Sequence, residues 1–175
     1  MYLYHVYNDR DSTTKKIHHA LKNGLSLENA SNWHGKGYAS LYPTLINEVK
    51  KGGTDHWLDF EKSFRVKQSP RPFVHYLRFP AKDYQVYVFN IDTAQQIVDY
   101  YEEEISIRLG EGKKGDFTSR LPPLEILMKK YWDGRIPIQR YSDHPVYECP
   151  EFVCFQSIRS KHLDGFIDGK LIIKD

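Results

Sequence analysis

The chain has 175 residues, 40% of them hydrophobic and 27% charged, with a formal net charge of +2. That length and balance suit one globular domain with its own core, and exclude a disordered chain or a strongly basic, dedicated nucleic-acid binder. Two cysteines, no secretory leader at the start and no apolar run near the roughly 18 residues of a membrane span exclude a disulfide scaffold and a transmembrane helix, so the expected compartment is the cytoplasm.

Tyr2 to Tyr7 is apolar and aromatic and reads as a first strand, with Leu3, His5 and Tyr7 on one face. Thr14 to Leu21 reads as a short helix that Asn23-Gly24 ends, because glycine accepts a left-handed backbone at no steric cost. Residues 28–40 form a polar loop with Gly35 and Gly37, and Pro43 to Lys50 reads as a second helix. Phe64 to Gln68 and Phe73 to Phe79 read as strands around the turn Ser69-Pro70-Arg71-Pro72. Gln85 to Ile91 is the next strand, and Asp92 is the expected cap of a helix from Thr93 to Ile107. The run Glu102-Glu103-Glu104 within it reads as a solvated face, and residues 110–120 as a flexible loop. Pro122-Pro123 opens a helix through Trp132, and Ile136 to Tyr141 and Tyr147 to Ser157 read as strands. Leu163 to Ile173 closes the chain around the turn Asp168-Gly169. Strands separated irregularly by unequal helices predict an α+β fold rather than a doubly wound sheet.

Several kinds of site are poorly supported. Gly35-Lys36-Gly37 lacks the spacing of a phosphate-binding P-loop. His18-His19 diverge on a helix, and His34 and His56 have no partner at a ligand spacing, so no metal is expected. Cys149 and Cys154 are separated by an odd spacing that sends them to opposite faces of a strand.

The remaining pattern is distributed. Tyr4-His5 stands in the first strand, and the first helix runs into Asn23-Gly24-Leu25. The loop carries His34-Gly35-Lys36-Gly37-Tyr38, with Tyr42 following. Late in the chain come Pro150-Glu151-Phe152-Val153-Cys154-Phe155, Ile158 and the segment from His162 to Ile167. In these scattered motifs the chain resembles the ADP-ribosyltransferase superfamily, most of all its DNA-modifying toxin branch, while residues 54–140 match nothing in it. The resemblance implies a single domain, residues 1–175, with two small, mostly antiparallel sheets forming a cleft and helices at its flanks. It implies NAD as substrate and an acceptor that is a nucleic acid or a protein. His5 would hydrogen-bond the adenosine ribose, and Tyr38 or Tyr42 would stack on nicotinamide. Asn8 and Arg10 would reach the pyrophosphate. Glu151 would be the catalytic carboxylate, with Gln156 the competing polar residue of that strand. Its strand should neighbour the first strand, and His5 and Glu151 should open onto one pocket. RNA 2′-phosphotransferases share this fold and offer a further reading.

The alternative is a binding module without catalysis. Arg65, Lys67, Arg71 and Arg78, interleaved with Phe64, Phe73, Tyr76 and Phe79, would track single-stranded nucleic acid by phosphate contact and base stacking.

Overall fold

The computed structural model describes residues 1–7, 10–30, 63–143 and 145–173. Among these are eight strands and four α-helices. In chain order they are β1 (Tyr2–Val6), α1 (Arg10–Asn23), β2 (Phe64–Val66), β3 (Tyr76–Pro80), β4 (Val86–Asn90), α2 (Ile91–Leu109) and α3 (Leu124–Asp133). The last five are β5 (Ile136–Pro137), α4 (Ile138–Asp143), β6 (Pro150–Cys154), β7 (Asp164–Ile167) and β8 (Lys170–Ile172). The fold is α+β with two antiparallel sheets, ordered β1-β3-β7-β8 and β2-β6-β4-β5. Among the described residues the two sheets are bridged by backbone hydrogen bonds at Tyr4 and Lys67, which exchange bonds of 2.9 Å.

Alternation along each strand explains the core. Leu3, Leu77 and Phe79 of the first sheet meet Phe64, Val66, Val86, Val88, Phe152 and Cys154 of the second, and Ile17 and Leu21 of α1 close the cluster. Phe89 and Val153 leave the opposite face of the second sheet and pack on Ile97 and Tyr101 of α2 and Leu127, Met128 and Tyr131 of α3. β6 is therefore covered on both faces, and Glu151 to Cys154 are all buried. Such a strand contains a carboxylate only where partners compensate it. Pro150 opens β6, the one position of a central strand where a missing N–H costs little.

Gly24 ends α1 at φ +82°. Leu25 then exchanges backbone bonds of 2.8 Å with Ile158 beyond β6, which ties the end of α1 to the segment after Glu151. A Cβ on Gly24 would stand 2.5 Å from the Ile158 carbonyl oxygen. Backbone strain and the clash together make Gly24→Ala cost about 2–4 kcal/mol, to be read from denaturant midpoints. The β7–β8 hairpin turns on Asp168 and Gly169, at φ 50° and 71°, as its sequence predicts.

Three local expectations are corrected. The cap of α2 is Asn90, whose side chain accepts the Asp92 N–H at 2.9 Å, two residues before the expected Asp92. The stretch 136–141 holds only a two-residue strand, because Pro137 has no N–H for the ladder; the chain then turns into α4, burying Ile138 and Tyr141 at helical spacing. Glu103 is not on a solvated face: it is only 6% exposed. Its carboxylate accepts the N–H groups of Phe117 and Thr118 at 3.0 and 3.1 Å and the Thr118 hydroxyl at 2.9 Å, so it pins the loop that follows α2.

Burial pushes the Glu103 carboxyl upward, but the bonds from Gly115, Phe117 and Thr118 outweigh it and hold the group below its ordinary value. The stability it contributes is thus present above the unfolded carboxylate's pKa and is lost as pH falls through the lower folded value. Glu103→Gln is expected to cost about 1–3 kcal/mol at neutral pH. It should also flatten the acid limb of stability against pH, as followed by urea titrations at stepped pH.

Candidate active site

β2 stands between β1 and β6, so the two strands that carry His5 and Glu151 are not neighbours as expected. Register fixes the second sheet's side chains: Arg65 lies opposite Val153 and Phe89 opposite Glu151, which puts Arg65, Glu151, Val153 and Phe89 on one face. Glu151 is 4% exposed there. Tyr131 of α3 donates its hydroxyl to Glu151 Oε2 at 2.9 Å, and Arg65 Nε lies 2.5 Å from Oε1. That second contact is an ion pair without the alignment of a hydrogen bond. Arg65 is half-exposed, so the buried carboxylate is compensated by a cation that reaches in from solvent.

His5 reaches the same strand from its other side. Its ring stands edge-on to Phe64 at 5.7 Å and to Tyr7 at 5.0 Å. Nδ1 lies 3.3 Å from the Arg65 carbonyl oxygen, which can only accept, so the proton belongs on Nδ1 and Nε2 is the acceptor. Burial lowers the His5 pKa against the opposing pull of that carbonyl, which favours the neutral ring, and its Nε2 can then accept a hydrogen bond from a hydroxyl.

His5 and Glu151 both line one open cleft of about 1330 Å³, bounded by α1, β1, β2 and the start of β6. They enter it from opposite sides of β2, with Arg65 between them, touching His5 through its backbone and Glu151 through its guanidinium. Lys15, Lys16, Arg65, Lys67 and Arg71 also line the cleft, and Glu151 is the one carboxylate among its described residues. That balance favours an anionic ligand.

Of the other expected site residues, Asn8, Tyr38 and Tyr42 lie outside the described residues, as does the predicted helix from Pro43 to Lys50. Arg10 is the first residue of α1. Gln156 does not line the cleft; its Oε1 accepts the Gln85 N–H at 2.7 Å, beyond the far end of β6. The cysteines are free thiols, and burial pushes that of Cys154 up to about 11 despite its contact with the Gln156 carbonyl, which disqualifies it as a nucleophile at neutral pH. Among the described residues no group of three or more His, Cys, Asp or Glu side chains could hold a metal ion, and no helix is long and apolar enough to cross a membrane.

Of the residues of the alternative, non-catalytic reading, Phe64, Arg65, Lys67, Arg71 and Phe73 line the cleft, whereas Tyr76, Arg78 and Phe79 do not. Phe64 and Phe79 are in the core. Arg65 pairs with Glu151, and Arg78 with Asp164 at 2.7 Å. Tyr131 and the pairing role of Arg65 had no reading in sequence. Arg65 did leave a trace, as a lone charge between two apolar strand residues, whereas Tyr131 reads as one more apolar position of an amphipathic helix.

Comparisons with protein-family models, curated proteins and solved structures return no match to this chain.

Proposed function

We propose that this protein is an NAD-dependent ADP-ribosyltransferase acting on a nucleic-acid or protein acceptor. The observation that carries the reading is Glu151: a buried carboxylate, held at two points, at a cleft that lysine and arginine side chains also line and that holds no second carboxylate among its described residues. The cations suit the pyrophosphate of NAD, and the neutral His5 suits a ribose hydroxyl. Cleavage breaks the bond between nicotinamide and its ribose. The bonding pair leaves with nicotinamide, and positive charge develops on the sugar ring. A fixed carboxylate in a water-poor setting stabilises that charge as it forms. An acceptor nucleophile then bonds to the anomeric carbon and gives up its proton to water. Supporting the same reading, the end of α1 and the segment following Glu151 are locked together by the Leu25–Ile158 bridge, so two separated motifs of the resemblance meet in space.

The test is direct. NAD should raise the melting temperature in a concentration-dependent way, and purified protein should release nicotinamide from it. A melting temperature indifferent to millimolar NAD, together with no nicotinamide release, would remove the reading.

A further inference from the structure

We infer that Tyr131 is the positioning residue for Glu151: it holds Oε2, while Oε1 lies beside Arg65, a residue of the cleft wall. This rests on the reading of Glu151 as the catalytic carboxylate. The two oxygens of Glu151 are held differently. Oε2 accepts a hydrogen bond of 2.9 Å from a phenol that is 4% exposed. Oε1 is buried without an aligned hydrogen-bond donor, and its neighbour is the half-exposed Arg65, a residue of the cleft wall.

Tyr131 is itself fixed. Its ring stacks on Phe89 at 4.7 Å and 25°, and Phe89 is the residue opposite Glu151 across the β4–β6 ladder. Ring, partner strand and carboxylate thus form one packed unit between α3 and the second sheet. Burial, followed by the charge of Glu151, raises the Tyr131 pKa well above its ordinary value, so the phenol remains a donor across the working range. Tyr131 therefore holds one oxygen of the carboxylate in place, which is what a fixed group facing a cationic sugar requires.

Tyr131→Phe keeps the stacking ring and removes only the hydroxyl. Nicotinamide release should fall roughly tenfold in kcat with little change in KM. The NMR chemical shift of the Glu151 carboxyl carbon at neutral pH should move without any turnover, because the donated hydrogen bond is lost. A ring-fluorinated tyrosine at 131, a stronger donor, should move that resonance in the opposite sense, and it supplies the test should Tyr131→Phe fold poorly. An unmoved carboxyl resonance in both, or an unchanged kcat in Tyr131→Phe, would overturn the positioning role. The two readings fail separately: a wild-type protein that releases no nicotinamide defeats the proposed function, while the carboxyl resonance still decides what Tyr131 does.

Discussion

Glu151→Gln should lower nicotinamide release from NAD by about 100-fold or more, the loss typical when a preorganised group facing developing charge is removed. The substitution is nearly isosteric. The glutamine carbonyl still accepts the Tyr131 hydroxyl, and the ring stacked on Phe89 keeps its place. What disappears is the negative charge beside Arg65. Arg65 is half-exposed and can turn to water, so the folded state tolerates the change better than it would tolerate losing the cation. Arg65→Ala removes the cation beside a carboxylate that stays buried, the costlier of the two changes. The signature sought is therefore a dead enzyme with a near-normal melting curve and preserved NAD binding. A variant that keeps wild-type turnover would take Glu151 out of the chemistry whatever its burial.

The largest stability effect belongs to Phe79→Ala. Phe79 is fully buried on β3, opposite Leu3 of β1, and meets the Tyr84 ring edge-on at 5.4 Å. The site touches the cluster built by both sheets and α1, so no single element can collapse into the space. Truncation is expected to cost about 3–5 kcal/mol, the usual range for a core aromatic. In a chain of this size that is a fall of roughly 6–20 °C in melting temperature. Differential scanning calorimetry reads it directly. A shift of a degree or two would mean that Phe79 is not at the centre of the core described here.

Local signals in the sequence carried well. The aromatic alternation of Tyr2–Val6, the glycine after Asn23 and the Asp168-Gly169 turn each specify a backbone conformation by themselves, and each is found where it was expected. The edges that depend on packing carried less well. Asn90 and Asp92 are both good caps, and only the end of the β4 ladder decides between them. Glu103 looks like its neighbours Glu102 and Glu104 until the loop through Thr118 folds back onto it, a contact that helical periodicity does not encode. Of the candidate site, single residues were legible in the sequence and their arrangement was not. His5 and Glu151 could be singled out, but nothing local says that β2 inserts between their strands, or that α3 sends a phenol to the carboxylate. Strand order and helix docking are set by tertiary contacts between distant segments. Tyr131 and Arg65 became readable only once those contacts were in place.

The central claim is that Glu151 cleaves NAD and passes ADP-ribose on. The most direct measurement incubates the protein with NAD labelled in its adenylate half, together with whole-cell lysate, and separates nucleic acid from protein after the reaction. The account predicts label in one of these fractions, nicotinamide released in step with it, and neither with Glu151→Gln. Label that appears equally with Glu151→Gln, or an intact NAD pool after prolonged incubation with the wild-type protein, would contradict it.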